Sequence, residues 1–377
     1  MALSNIVAGT ILILLGMCYV RKGLVRLFGG QLAEWLQQMT QDPYQGFLVG
    51  AIAGVMAPSS SAVAAFSVQM LNQTVLPAGQ ILAVVLGANV GITVAVQLLA
   101  CRLQDCSCLF LVTGGIGFLF LKRPMFRGIG QILLGIGLVS LAMSMIGAAD
   151  TGANGNRDLQ LLFGVIDHYP LIVFLATALL TVALQSSTAS IALGIGLAQA
   201  QLLSAGTIAP WVLGANLGTA LTLMVAGWGS VEGKRLAFGN LLIKGLGAGL
   251  LLFGTSPLLT SLLQLLPGGI DRQAANLNTL FSLVFGMAAL PMLGPISRLL
   301  EFLVESEPTD EPNVTTALDS LPRISGQLTS PAYASARDQL RTDQANGHSS
   351  FADGPFSGKR HHFPDWSSWK GTPARLT

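Results

Sequence analysis

From the N-terminus to about residue 300, long apolar runs alternate with short polar loops. A helix needs about 20 mostly apolar residues to cross a bilayer. Runs near that length predict spans at about 3–20, 78–100, 107–121, 128–147, 207–227, 236–266 and 274–300. Gly23 to Thr40 is less apolar and is expected to form an amphipathic helix lying along the membrane surface. Two further runs are long but broken by polar residues: Gln45 to Leu71 at Ala57-Pro58-Ser59-Ser60-Ser61, and Pro170 to Leu203 at Gln185-Ser186-Ser187-Thr188. Pro58 removes a backbone donor and disfavours helix in the residue before it. Each broken run is expected to form a re-entrant helix–break–helix hairpin that enters and leaves on one side.

The two broken runs are copies of each other. Sliding the chain by 127 positions aligns residues 46–100 with 173–227 without a gap, and 18 of the 55 positions are identical. Pro58-Ser59-Ser60-Ser61 then lies on Gln185-Ser186-Ser187-Thr188, and Gly87-Ala88-Asn89-Val90-Gly91 on Gly214-Ala215-Asn216-Leu217-Gly218. Paired repeats interrupted at corresponding polar spots point to a transporter's binding site.

Composition agrees with the pattern. The 377 residues are 51% hydrophobic and 10% charged, against about 25% charged in a soluble domain. The expected fold class is an all-α integral membrane protein with two inverted-topology repeats. Residues 1–304 would form the transmembrane domain. Residues 305–377, rich in Ser, Pro, Thr, Asp and Gly, are expected to be a disordered hydrophilic tail. The first apolar run has its basic residues, Arg21 and Lys22, on its far side and so reads as a retained helix rather than a signal peptide. Loops bearing Arg21, Lys22, Arg26, Lys122, Arg123, Arg127, Lys234, Arg235 and Arg298 fall on one side, and those bearing Arg102, Arg157 and Arg272 on the other. The positive-inside rule makes the first side cytoplasmic, together with the tail, and the repeats inverted. An inner (plasma) membrane location follows.

The chemistry at the breaks points to a small anion. A break in the membrane core frees backbone groups that lipid cannot satisfy, so it survives only where protein, water or ligand supplies partners. A helix starting after the break offers N–H groups and a positive dipole end to an anion. Ser59, Ser60, Ser61, Ser186, Ser187 and Thr188 add hydroxyls that donate to an oxyanion and are the candidate substrate contacts. Neither repeat contains Asp, Glu, Lys, Arg or His. Proton-coupled transporters usually show an intramembrane relay of such groups, and a doubly charged anion needs positive charge nearby. A co-bound sodium ion would supply it, with Gln185, Asn89, Asn216 and Thr219 as candidate oxygen ligands. The asparagines could equally serve as interhelical hydrogen bonds, and the hydroxyls as packing groups that bond the preceding turn.

Other polar residues have simpler readings. Gln97 and Gln131 are expected to make helix–helix contacts, and Lys244 to snorkel to the interface. Cys101, Cys106 and Cys108 lack partners for a tetrahedral metal set, leaving a loop disulfide or an ordinary helix-end role. No nucleophile–base or metal constellation appears in the apolar portion, so neither an enzyme nor a resident cofactor is expected, nor binding of nucleic acid.

The tips, the Gly-Ala-Asn-x-Gly elements, Leu12-Ile13-Leu14-Leu15-Gly16-Met17 and Gly130-Gln131-Ile132-Leu133-Leu134-Gly135-Ile136-Gly137-Leu138 together resemble the type II sodium–phosphate cotransporter family and its bacterial relatives. Ala275-Asn276-Leu277-Asn278-Thr279-Leu280-Phe281 is similar more loosely. The resemblance implies sodium-driven phosphate movement, with the tips holding substrate and ions. Two positions depart from it, both in the first copy: Pro58 stands where the family has glutamine, and Ile92 where the second copy has Thr219. The alternatives are transport of another small anion, or a transport-inactive membrane sensor or scaffold acting through its tail.

Overall fold

The computed structural model describes residues 2–37, 42–59, 62, 78–101, 103–148, 164–254 and 267–304. Among them the regular structure is helical: α1 (Ala2–Gln37), α2 (Pro43–Met56), α3 (Ala78–Leu99), α4 (Ser107–Phe120), α5 (Pro124–Gly147), α6 (Pro170–Leu184), α7 (Ser187–Gln199), α8 (Ala205–Gly227), α9 (Val231–Gly249), α10 (Ile270–Ala289) and α11 (Leu293–Leu303). Among the described residues six apolar stretches are long enough to cross a membrane: Leu3–Gly29, Gly79–Leu99, Pro124–Gly147, Gly206–Gly227, Val231–Phe253 and Ile270–Leu303. Large apolar side chains such as Leu109, Val112, Leu119, Leu179 and Phe302 stay exposed, as they do on helices that face lipid. The protein is a multi-pass membrane protein.

Local chemistry sets the helix starts. Pro43, Pro124 and Pro170 each open a helix, where the missing N–H costs nothing and the fixed φ suits the first turn. Asp42 accepts from the Tyr44 N–H at 3.1 Å, and Ser204 and Ser230 cap α8 and α9 in the same way. The duplication is visible in these starts: α2 and α6 begin at Pro43 and Pro170, and α3 and α8 at Ala78 and Ala205, both pairs offset by 127.

The two copies also pack alike. α2 lies on α3 where a β-carbon at Gly87 or Gly91 would overlap the carbonyls of Phe47 or Ala51. α6 lies on α8 where Gly214 and Gly218 meet the carbonyls of Phe174 and Ala178. Such close backbone approach is how helices associate in lipid, where burial of apolar surface gives no advantage. At 15 and 13 residues, α6 and α7 extend only about 20 Å each, too short to cross alone. Thr188 through Ala198 are all buried, so α7 lies inside the bundle, while Leu175 and Leu179 leave one face of α6 bare.

Four expectations change. Residues 23–37 do not form a separate surface helix: α1 continues unbroken to Gln37, because no proline interrupts it and Gly23 packs against the Gly128 carbonyl on α5. Arg21 therefore lies within the stretch Leu3–Gly29 rather than in a loop. The run at 274–300 is divided by a short 3-10 turn, Leu290–Met292, at Pro291. The segment at 107–121 is a helix of 14 residues. The expectation of a disordered tail at 305–377 lies outside the described residues.

The α2–α3 contact predicts a stability effect. Gly91→Val is expected to lower the apparent Tm in detergent by roughly 5 °C or more through overpacking against backbone. Gly115→Ala, with nothing within 4 Å of the new carbon, should leave it unchanged or slightly raised, and thermal melts of the two variants check the difference.

Candidate functional site

The two breaks solve the same backbone problem with the same atom. After α6, Gln185 takes a left-handed conformation (φ 50°, ψ 28°) and Ser186 an extended one. The Ser186 hydroxyl then accepts from the Ala189 N–H at 3.3 Å, capping α7. In the first copy α2 ends at Met56, and the Ser59 hydroxyl accepts from the Ala62 N–H at 3.4 Å. Ser59 and Ala62 are the repeat equivalents of Ser186 and Ala189. Capping satisfies one of the donors that a helix start leaves open.

Both tips border one narrow cavity. The first copy contributes Pro58, Ser59 and Ile92, and the second contributes Gln185, Ser186, Ser187, Thr188, Thr219 and Thr222. Leu223 and Arg21, the latter from α1, complete the lining. Pro58 with Gln185, Ser59 with Ser186, and Ile92 with Thr219 are repeat-related pairs. The cavity thus lies across the relation between the copies, with one half mostly apolar and the other rich in hydroxyls. About 20 Å³ is open to the centre of a water-sized sphere, room for a water or two.

Of the residues singled out from sequence, Ser59, Gln185, Ser186, Ser187, Thr188 and Thr219 meet at this cavity. Ser60 and Ser61 lie outside the described residues. Asn89 and Asn216 sit one helical turn from the lining positions Ile92 and Thr219, and their amides bridge helices. The Asn89 amide donates to Asn240 Oδ1 at 3.2 Å. The Asn216 amide donates to Asn278 Oδ1 at 2.9 Å and to the Val212 carbonyl at 3.0 Å. Thr219 and Thr222 bond back to the Ala215 and Gly218 carbonyls, each at 2.9 Å, which orients both hydroxyls.

Two polar lining residues escaped the sequence reading. Thr222 follows Thr219 by one turn on α8, a spacing that places both on one face. Arg21 precedes the gap-free repeat, and the residue 127 positions on is Ala148, so no repeat comparison could find it. Its presence removes the premise that positive charge at the tips must come from a co-bound ion.

The other polar expectations divide. Gln97 does link helices, donating to Asn276 Oδ1 at 3.1 Å and Thr279 Oγ1 at 2.9 Å. Gln131 is buried, but its Oε1 has no hydrogen-bond partner. Lys244 does not snorkel: it is only 5% exposed, because α9 is enclosed by α3, α8, α10 and α11. All four cysteines are free, and Cys101 Sγ accepts from Arg272 at 3.2 Å. Among the described residues no cluster of three His, Cys, Asp or Glu could hold a metal.

Comparison with known proteins matches this duplicated frame. A family model described as Na+/Pi-cotransporter fits residues 12–148 and again residues 153–289. The chain belongs to that family. Each match to the Na+/Pi-cotransporter model contains one polar tip and one Gly-Ala-Asn element, so each family unit encloses one copy of the gap-free repeat and extends beyond it. The proteins named "Putative inorganic phosphate export protein YjbB" from Escherichia coli O157:H7 and strain K12 are each 27% identical over 353 residues. That alignment covers 92% of this chain, and the chain spans 63% of the length of those relatives. An uncharacterized protein, YqeW, of Bacillus subtilis strain 168 is 25% identical over 309 residues, 78% of this chain and 95% of that protein. No solved structure matches the chain.

The left-handed tip generates a second prediction. Gln185→Gly should hold or raise stability by about 1 kcal/mol, since glycine adopts this conformation without penalty. Gln185→Val, β-branched, should lower it by about 1–2 kcal/mol. Denaturation of the detergent-solubilised proteins distinguishes the two.

Proposed function

We propose that this chain is a secondary active transporter that couples sodium to the movement of inorganic phosphate across the membrane. The observation that carries this reading is the single cavity bordered by both repeat tips, with serine and threonine hydroxyls and the start of α7 around it. Hydroxyl donors and a helix N-terminus suit a tetrahedral oxyanion. In this reading Ser59, Ser186, Ser187 and Thr188 contact substrate, with Ser60 and Ser61 as further members of the first tip. Oxygen atoms of Gln185 and Thr219, with Asn89 and Asn216 one turn deeper, bind sodium as hard ligands, by extension from the calcium case. The family description supplies the sodium, and the name of the Escherichia coli relatives favours export as the physiological direction.

Alternating access gives the repeat its purpose. The two copies would be inverted, each with a re-entrant hairpin, in an inner membrane with the C-terminal tail on the cytoplasmic side. In this reading the tips part to admit the substrate. Rocking of one repeat against the other would open the shared cavity first to one side and then to the other.

A second substrate reading has its own observation. Pro58 and Ile92 make the first copy's side of the cavity apolar, which suits an anion with fewer acceptors than phosphate. Transport of labelled phosphate in proteoliposomes tests the proposal, with arsenate, sulfate and small carboxylates as competitors. Sodium-dependent phosphate movement is expected, and Ser187→Ala should reduce it roughly tenfold or more through loss of a hydrogen bond to a charged ligand. Absence of sodium-dependent movement, or full activity in Ser187→Ala, overturns the reading.

A further inference from the structure

Arg21 lies inside the first membrane-crossing stretch, Leu3–Gly29. A charge at that depth is costly and is kept only where it faces the interior, a partner or a path for ions. Its neighbours on the same helix, Lys22 and Arg26, are exposed, whereas Arg21 is partly buried and lines the cavity between the tips. Among the described residues it is the one charged group in that lining, and no carboxylate is present there to neutralise it. Its Nε is fully buried and has no hydrogen-bond partner. A guanidinium carries five N–H donors in a rigid plane and pairs with oxyanions through two parallel bonds. A buried donor left without a partner is expensive, and a substrate oxygen that reached the guanidinium as the tips part would remove that cost.

We propose that Arg21 is the fixed positive charge of the anion site and binds an oxygen of the substrate directly. The inference rests on the oxyanion reading of the cavity and deepens it. α1 contributes this charge from outside residues 46–100 and 173–227, to a lining otherwise made of neutral groups. Charge balance for the bound anion is then built into the protein. Sodium is needed for the transport cycle but not for the first encounter with phosphate, so phosphate binding persists when sodium is replaced by choline.

Equilibrium binding of radiolabelled phosphate to the purified full chain in detergent, in sodium and in choline buffers, tests this. Wild type is expected to bind in both. Arg21→Gln should weaken binding by roughly tenfold or more, and more severely in choline, where no mobile cation substitutes for the lost charge. Arg21→Lys, which keeps the charge but not the fork, should retain part of the affinity in both buffers. A merely structural role for Arg21 would lower affinity equally in the two buffers. Unchanged binding by Arg21→Gln, an equal loss in both buffers, or wild-type binding that strictly requires sodium overturns the Arg21 assignment and leaves the transport reading standing. A wild type that binds no phosphate in either buffer overturns both. Should Arg21→Gln fail to fold, wild-type protein supplies the answer through phenylglyoxal labelling. Phosphate should protect the peptide containing Arg21 from modification, and labelling at an unaltered rate overturns the assignment.

Discussion

A polypeptide that leaves the helix in the middle of an apolar run must find partners for its freed backbone groups within the protein, because lipid offers none. The rest of this structure follows from how that demand is met twice. Ser59 and Ser186 occupy equivalent places and accept from Ala62 and Ala189 in equivalent bonds. Gln185 turns the chain through a left-handed conformation between α6 and α7. Beyond the second tip, α7 is buried in the bundle from Thr188 to Ala198. The carriers of the tips, α2 and α6, are held against α3 and α8 at glycines where only a hydrogen fits. Close backbone contact of that kind resists sliding, so it registers both tips against the helices that complete the cavity.

The cavity that results is related to a repeat but is not itself symmetric. Gln185 and Thr219 face Pro58 and Ile92 across the relation between the copies. Duplication supplied the frame, and divergence of a few side chains made one half the principal source of hydroxyls. The asymmetry is reinforced from outside the repeats by Arg21, which approaches from α1. A positive group in a site otherwise made of neutral donors changes its electrostatics more than any hydroxyl could, since charge-assisted hydrogen bonds are roughly twice as strong as neutral ones. The buried asparagines also hold the frame. Asn89 with Asn240 and Asn216 with Asn278 tie the helices around the cavity into fixed neighbours.

Much of this was legible in the chain. Apolar run length gave the membrane class, Pro170 gave the start of the second tip-bearing helix, and the offset of 127 between the copies gave the paired breaks. Six of the ten residues singled out from spacing and chemistry reach the cavity, namely Ser59, Gln185, Ser186, Ser187, Thr188 and Thr219. Errors arose where a residue's surroundings depend on helices distant in sequence. Lys244 has the stem to reach an interface, yet α9 is enclosed on several sides and the ammonium stays inside. Residues 23–37 are polar enough for a surface helix, but Gly23 against Gly128 continues the α1–α5 contact and the helix does not stop.

The sequence by itself determined which segments lie in the membrane, where the helices break and which hydroxyls stand at the breaks. These properties depend on transfer of side chains from water and on hydrogen bonds between near neighbours in the chain. Only the tertiary structure decided that the two tips share one cavity, that Asn89 and Asn216 bridge helices beside it, and that Arg21 supplies its charge. Those outcomes depend on which helices touch, and pattern along a chain does not encode the direction from which a side chain on a third helix arrives.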